Sequence, residues 1–530
     1  MGVYINPGNG GFAEVLRSKY VDKSGLISLI NQTIGTKQKL TCVSRPRRFG
    51  KSFAAQMLCA YYDDACDSHP LFDDLEISQS LDYEKHLNQY HVIYLDVTGF
   101  ISEMRKYGKG IADVPRMITD ALEQELKTIC SAAESAGSLS EGLIRFVKTT
   151  GRKCVFIIDE WDAMIREAKN ESEAQERYLN MLRGWFKNGN FTPEVVAAAY
   201  MTGILPIKKD GSQSAISDFN EYTMVKPRQY GQYVGFTEAE VASLCDEYAV
   251  DFKTMKQWYD GYSFQGVGSV YNPNSVIKAI TNRDFDTYWT ETSAAESLME
   301  YISKDYSGLT KTVAELVGGI RVKVDTNGFA NDLTTFRGKD DVLTLLTHLG
   351  YLAYDAKEKT VEIPNEEIRL EFSKSIREVR HEETMRRLRE SEQLIYDVVH
   401  GQEEAVAAQI EKIHAEETTP LHYNREESLR SVIKLAFYTY KDHYLQWEEL
   451  PAGDGFADVL YLPKKNSEYP ALVIELKWNM SAEGAIQQIR DKHYPDALKD
   501  FGGEVLLVGI NYDKDAPAGQ RKHTCVIQRA

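Results

Sequence analysis

The sequence predicts an α/β protein of several domains, and three stretches carry that expectation. Cys42 to Phe53, C-V-S-R-P-R-R-F-G-K-S-F, reads as a short strand, a tight basic turn and a helix opening on Gly50-Lys51-Ser52. Cys154 to Asp162, C-V-F-I-I-D-E-W-D, reads as an interior strand closed by carboxylates. Near the C-terminus, Gly453 to Pro463 and Tyr469 to Trp478 read as two adjacent strands that bring charged residues to an apolar sheet. Short apolar runs bounded by turn residues, alternating with helical periodicity, are the pattern of strands buried between layers of helices.

Composition narrows the class. A chain of 530 residues exceeds what one hydrophobic core usually serves, so about two to four domains are expected. The formal net charge of −17, from 62 basic and 79 acidic residues, excludes a generally basic surface, although a local basic segment can still serve a nucleic acid. The seven cysteines are scattered, with no C-x-x-C pair, which favours reduced, mostly buried thiols over a disulfide framework or a zinc knuckle. No run approaches the roughly 18 apolar residues of a membrane helix, and the N-terminus has no signal-like segment. A soluble, cytoplasmic protein without a membrane partner is expected.

In chain order, Leu26, Ile27, Leu29 and Ile30 give an amphipathic helix beginning near Gly25, ahead of a strand over Leu40 to Val43. The turn that follows matches G-x-x-x-x-G-K-[ST], except that Arg45 stands where the first glycine belongs. A strand, a turn and a helix start of this kind hold a polyphosphate, because free N–H groups at the helix start point toward the anion. Gly50, Lys51 and Ser52 are therefore candidate ligands of a nucleotide. The helix runs to about Tyr62, His91 to Val97 reads as a buried strand, and Pro115 to Ala132 and Leu139 to Thr149 as helices. Asp159 and Glu160 close the strand from Cys154 at the sheet edge where α/β folds present ligands. Asp159 would accept from a Mg²⁺-bound water or the Ser52 hydroxyl, and Glu160 would polarise an attacking water. A further strand, Val195 to Met201, ends in Thr202, placed to sense a γ-phosphate. Each signal alone has a structural alternative, since apolar strands often end in acidic turns. Together they predict a mononucleotide site.

On Tyr20-Val21-Asp22-Lys23, Ser44 to Ser52 and Ile157 to Asp162, the chain resembles the bacterial AAA-ATPase-like family, whose members carry the same arginine-rich P-loop without its first glycine. Tyr200 to Leu205 and Gly235-Phe236-Thr237-Glu238 resemble the family's later signatures. The resemblance implies a P-loop ATPase-like three-layer domain over residues 1–225, a small helical domain over 226–300, and ATP with Mg²⁺ as cofactors. Arg45, Arg47 and Arg48 either neutralise phosphate or hold the turn against Asp162.

In the middle of the chain, Thr237 and Glu240 form a capping box at the start of a helix. Trp258 to Phe264 reads as an aromatic-rich turn, with packing between helices favoured over base stacking on Tyr262 or Phe264, and another helix opens at Asn274 or Ser275. Val342 to Leu349, then Tyr351 to Tyr354 and Val361 to Ile363, read as a helix and hairpin of winged-helix-like form within residues 301–400. Glu362, Glu366, Glu367 and Glu371 make that wing acidic and favour domain packing over DNA contact. Ser373 to Glu390 reads as a solvated helix, and Ser391 to Glu417 as a connector.

The C-terminal strands predict a second chemistry. Asp458 and Glu475 would lie side by side, and Lys477, two residues on, shares a face with Glu475. Neighbouring carboxylates call for a cation between them, and a hard divalent metal suits oxygen ligands. The Lys477 ammonium would position a hydroxide and stabilise charge developing on a phosphodiester. The alternative is a surface salt bridge between Glu475 and Lys477, worth well under ~1 kcal/mol. The spacing is the D-(x)n-(D/E)-x-K arrangement of restriction-endonuclease-like nucleases, and the surrounding sequence resembles the PD-(D/E)xK nuclease domain commonly fused behind the ATPase-like family. That resemblance implies a nuclease-like α/β domain over residues 401–530, with Glu427 as an acid of the first helix and Gln488 and Tyr494 downstream. Buried elements are expected at residues 431–440 and at Val505 to Ile510.

The sequence thus predicts an ATP-binding, ATP-hydrolysing protein with Mg²⁺-dependent nuclease chemistry in its last domain. Expected catalytic residues are Asp458, Glu475, Lys477, Glu427, Gln488 and Glu160. Nucleotide contacts fall to Arg45, Arg47, Arg48, Gly50, Lys51, Ser52, Asp159 and Thr202, and metal contacts to Asp458, Glu475, Ser52 and Asp159. Nucleic acid is the expected partner, DNA by the family analogy, and a homo-oligomer is compatible with the sequence. The competing expectation is a nucleotide switch that binds nucleic acid or protein through a degenerate, non-cleaving nuclease domain.

Overall fold

The structure is a computed structural model that describes residues 2–207, 216–289, 309–329, 336, 338–378, 382–417, 432–433, 436–437, 443–447, 451–452, 455–456, 459–463, 469–492, 503–516 and 522–530. It divides into two compact units, Met1–Ala294 with Lys323–Glu371, and Ala295–Val322 with Phe372–Ala530. Residues 226–294, most of the expected small helical domain, fall in the first unit, and the expected region 301–400 is divided between the two.

The first unit is built on a parallel sheet. After helix α1 (Gly25–Asn31) come β1 (Leu40–Ser44), α2 (Lys51–Tyr62), β2 (His91–Asp96), α3 (Val114–Ile129), α4 (Leu139–Thr150) and β3 (Cys154–Asp159). The short α5 (Ala163–Glu167), α6 (Ser172–Phe186), β4 (Val196–Gly203) and β5 (Asn220–Tyr222) complete it. The strand order is β2-β3-β4-β1-β5, every pair parallel. Every residue of β1, β3 and β4 is buried, which is why these strands read as unbroken apolar runs instead of alternating ones. Ile93, Phe156, Ile158 and Met201 of the sheet share one core with Ile118, Leu122 and Leu126 of α3 and Leu143 and Phe146 of α4.

Beyond residue 235, the two-residue strand β6 (Phe236–Thr237) leads into α7 (Glu238–Tyr248), α8 (Phe252–Tyr259), β7 (Tyr262–Phe264), β8 (Gly268–Tyr271) and α9 (Pro273–Asn282). The capping box at Thr237 and Glu240 forms as the sequence predicts. The aromatic-rich stretch is not a turn: Trp258 and Tyr259 end α8, and Tyr262 and Phe264 are the buried alternate residues of β7 in the sheet β6-β8-β7. Its aromatic density serves packing. Helix α10 (Lys339–Leu349) and the hairpin β9 (Ala353–Asp355) with β10 (Thr360–Glu362) also belong to this unit. Gly350, which ends α10 with a φ of 87°, leaves no room for a side chain: a Cβ would stand 2.6 Å from Trp289 and 2.8 Å from Pro46 of the P-loop. Helix α11 (Glu366–Glu378) follows, and the division between the units falls within it, after Glu371.

The second unit contains α12 (Glu382–Val399), α13 (Glu403–Glu417), β11 (Tyr444–Trp447), β12 (Val459–Pro463), β13 (Ala471–Trp478), α14 (Ala482–Asp491), β14 (Val505–Tyr512) and β15 (His523–Arg529). Its sheet runs β11-β12-β13-β14-β15, with β13 and β14 parallel and the other neighbours antiparallel. Ser391 to Glu417 is not a connector. Leu394, Ile395 and Val398 of α12 and Val406, Ile410 and Ile413 of α13 form one core with Tyr461, Ile474 and Val508. Their three- and four-residue spacing is a helical stripe within an acidic background. Among the described residues no helix is long and apolar enough to cross a membrane. All seven cysteines are unpaired, six of them buried.

Candidate functional site

The loop from β1 to α2 is shaped by its backbone. The Arg45 N–H donates to the Gly203 carbonyl at 3.0 Å, extending the β1–β4 ladder by one bond before the chain turns. Arg48 and Gly50 then take positive φ values of 67° and 89°. Nothing lies within 4 Å of a Cβ at Gly50, so its dihedral, not its space, calls for glycine. No side chain caps α2, and the free N–H groups at its start are oriented to receive an anion. Lys51 is 4% exposed, and its ammonium donates to the Pro46 carbonyl at 3.0 Å and pairs with Glu160 at 3.3 Å.

These residues line a cavity of about 690 Å³, in the range that suits a nucleotide. Gly50, Lys51 and Ser52 face Asp159, Glu160 and Asp96 across it. Tyr20, Val21, Met57 and Phe236 give it apolar walls, and Asn274, Ile277 and Lys278 of α9 contribute another side. Burial pushes the Asp159 carboxyl up to about 6; the Glu160 and Asp96 charges add to the rise, against the Ser52 hydroxyl and Lys51. Burial also works against the Glu160 carboxylate, but Lys51 and Arg166 outweigh it and hold Glu160 below its ordinary range. Arg166 bridges Glu160 and Asp162, reaching Asp162 at 3.1 Å, and Asp162 also accepts from the Ile204 and Leu205 N–H groups at 3.2 and 2.9 Å.

The structure therefore gathers Arg47, Arg48, Gly50, Lys51, Ser52, Asp159 and Glu160 around one cavity, and leaves Arg45 and Thr202 out of it. Arg45 is fully buried. Its guanidinium donates to the carbonyls of Ser44 at 2.8 Å, Tyr222 at 3.1 Å and Tyr230 at 3.4 Å, and lies 5.1 Å from the centre of the Phe264 ring. Burial without a carboxylate lowers its pKa to about 10. Arg45 is thus a fastening of the sheet edge, neither a phosphate ligand nor a surface charge, and Asp162 is held by Arg166. Thr202 is buried within β4 opposite Val43, with its carbonyl accepting from the Trp161 N–H. Arg166 was not among the residues the sequence singled out; its place four positions after Asp162, across the start of α5, was the signal that pointed to it. The α9 wall was not legible, because an amphipathic stripe does not say which cavity its edge borders.

In the second unit, β13 turns alternate residues to opposite sides. Leu472 and Ile474 join the core under α12 and α13, while Val473 packs with Ile486 and Ile489 of α14. Glu475, 3% exposed, and Lys477 share the α14 side. Lys477 lies 3.4 Å from Glu475 Oε1, the Gln488 amide donates to the same oxygen, and Lys477 donates to the Gln488 carbonyl oxygen. Gly509 pairs with Glu475 in register, and a Cβ there would stand 2.3 Å from the Ala482 carbonyl, so glycine lets α14 lie close against the strand. Asp458, Glu427 and Tyr494 lie outside the described residues. Among the described residues no three His, Cys, Asp or Glu side chains are grouped to hold a metal ion.

Residues 12–212 match the model of a family described as a predicted AAA-ATPase, and the first unit carries an AAA-ATPase-like domain over that span. An uncharacterized protein in the vnfD 5′ region of Azotobacter chroococcum mcd 1 is 26% identical over 291 residues, 54% of this chain. The chain spans about half, 52%, of that relative's length. Among solved structures, the ORC2 protein of Aeropyrum pernix overlaps 68% of this chain and 96% of its own, at 11% identity and a TM-score of 0.29. AMPPCP-bound DnaA of Aquifex aeolicus overlaps 70% and 91%, at 9% identity and a TM-score of 0.27.

Proposed function

We propose that the first unit binds and hydrolyses ATP, and that the C-terminal sheet is a PD-(D/E)xK-type nuclease that cleaves DNA. The observation that carries the ATP reading is the uncapped start of α2, with Lys51 and Ser52, facing Asp159 and Glu160 inside one cavity. In this reading the α2 N–H groups and Lys51 hold phosphate, and Arg47 and Arg48 add positive charge. Ser52 and Asp159 fit a Mg²⁺ site, since a hydroxyl bonded to a carboxyl that burial leaves short of positive charge is a donor set for a hard cation. A bound Mg²⁺ would neutralise charge on the phosphates. Glu160 turns to an attacking water once phosphate replaces it at Lys51.

The nuclease reading is supported by Glu475, Lys477 and Gln488 meeting on one side of β13, and by the strand directions around them. A divalent ion held by Glu475 and Asp458 would supply a hydroxide at neutral pH, while Lys477, fixed by Gln488, stabilises charge on the phosphodiester.

The test is ATP binding and phosphate release by the full chain and by Lys51→Ala and Glu160→Gln. Lys51→Ala is expected to lose binding. Glu160→Gln is expected to bind at least as tightly and to slow turnover by roughly 100-fold. Unchanged turnover in Glu160→Gln would remove Glu160 from the chemistry, and unchanged binding in Lys51→Ala would remove the site.

A further inference from the structure

Tyr288, beyond the end of α9, lies where three parts of the first unit meet. Arg48 of the P-loop donates from Nη1 to the Tyr288 carbonyl at 2.6 Å. The Tyr288 N–H donates to Glu367 Oε1 at 2.7 Å, and Lys278 Nζ lies 5.7 Å from the centre of its ring. Glu367, in the first turn of α11, is 1% exposed and accepts from Ser275 Oγ of α9 at 3.0 and 2.9 Å. Ser275 directly follows Asn274, which lines the nucleotide cavity, as do Ile277 and Lys278 one turn on. Arg48 lines the same cavity with its backbone in the left-handed region, a conformation an arginine keeps only where its surroundings hold it.

We infer that Arg48 and Glu367 are positioning residues of the proposed ATP site, on which reading this inference rests: acting through Tyr288, they fasten the P-loop to α9 and to the first turn of α11, so that its grip on phosphate depends on a carboxylate that lines no part of the cavity. Burial raises the Glu367 carboxyl to about 7, against the hydrogen bonds from Ser275, Tyr288 and Trp289 and the charge of Arg48. Among the described residues, the phenols of Tyr259 on α8 and Tyr262 on β7 also face it, and its charge opposes their ionisation. On its own helix Glu366 pairs with Arg369 at 2.6 Å. Above about pH 7 the ionised carboxylate holds Tyr288 and attracts Arg48; below it, protonation weakens both. Nucleotide affinity therefore gains a component that rises with pH through neutrality.

Glutamine mimics the protonated acid, so Glu367→Gln gives a clear signature. The probe is a fluorescent, non-hydrolysable ATP analogue with Mg²⁺, titrated into the full chain from pH 5.5 to 8.5. The ratio of variant to wild-type Kd is expected near one at pH 5.5, rising to about tenfold at pH 8.5. Titration of the probe phosphates and of Asp159 is common to both proteins and cancels in the ratio. In an Arg48→Ala background the ratio is expected to stay flat. Ser275→Ala, which removes a hydrogen bond to the carboxylate, is expected to move the wild-type rise to higher pH, and it tests the same link should Glu367→Gln fold poorly. A pH-independent ratio, or a ratio that rises equally without Arg48, overturns this inference alone. A wild-type chain that binds no nucleotide at any pH overturns the ATP reading and this one with it.

Discussion

At the residue scale the first unit keeps an acid where a parallel sheet offers few counter-charges. Asp159 is raised to about 6, chiefly by burial and next by the neighbouring Glu160, with the Ser52 hydroxyl opposing. An acid raised in the folded state contributes stability that is whole below its unfolded value of about 3.9 and is lost as pH rises through about 6. At pH 7 the cost is of order 2 to 3 kcal/mol, which a cation offsets when it binds. Asp159→Asn is therefore expected to make the nucleotide-free chain more resistant to urea at pH 7 and no different at pH 4. It is also expected to remove the share of the rise in Mg²⁺-nucleotide affinity that is centred near pH 6, leaving the component that Glu367 adds nearer pH 7. Denaturation at the two pH values reads the first effect, and equal midpoints at pH 7 would mean that Asp159 is not strained. This residue was legible because its strand is apolar to its last position. The Lys51–Glu160–Arg166 chain was not, since it joins the start of α2 to the end of β3, about a hundred residues on, a pairing that only the folded sheet sets.

At the element scale, the readable features were those whose local pattern and tertiary place agree. His91 to Asp96 and Cys154 to Asp159 lie within a residue or so of their expected spans, because the unbroken apolar runs Val92 to Leu95 and Val155 to Ile158 are each closed by an aspartate that marks the strand end. The connector expected over Ser391 to Glu417 failed for the opposite reason: two amphipathic helices carry so many acids that charge masks the stripe. The arginine-rich loop was ambiguous for a third reason, that a basic residue near a phosphate motif reads as a ligand whether it points in or out. Arg45 points away, into the edge of the sheet, and three carbonyls receive it. Restoring the motif glycine should accordingly harm the protein. Arg45→Gly leaves those carbonyls without their donor and opens a void beside Phe264, with an expected loss of about 3 kcal/mol or more. Urea unfolding measures it, and a stability unchanged or improved by the glycine would show that the buried guanidinium is dispensable.

At the scale of the whole molecule, each unit has its own core: the parallel sheet with α3, α4 and α6 in the first, and the mixed sheet with α12, α13 and α14 in the second. Substitutions at sites that share no partners act additively, so the two proposed chemistries should be separable by single changes. Lys477→Ala removes the ammonium that bonds to Gln488 and lies beside Glu475, without touching a residue of the nucleotide cavity. It is expected to abolish Mg²⁺- or Mn²⁺-dependent nicking of supercoiled plasmid while leaving nucleotide affinity within about twofold of wild type. Lys51→Ala should do the reverse to affinity. Calorimetry adds an independent readout, because a ligand that binds one folded unit raises the transition of that unit. Mg²⁺ with a non-hydrolysable ATP analogue should lift one unfolding transition in the wild type and in Lys477→Ala, and none in Lys51→Ala. Plasmid left intact by the wild type under every metal, with nucleotide still bound, would leave a nucleotide-dependent binding protein whose C-terminal sheet serves contact. Nicking that survives Lys477→Ala would move the cutting to other residues.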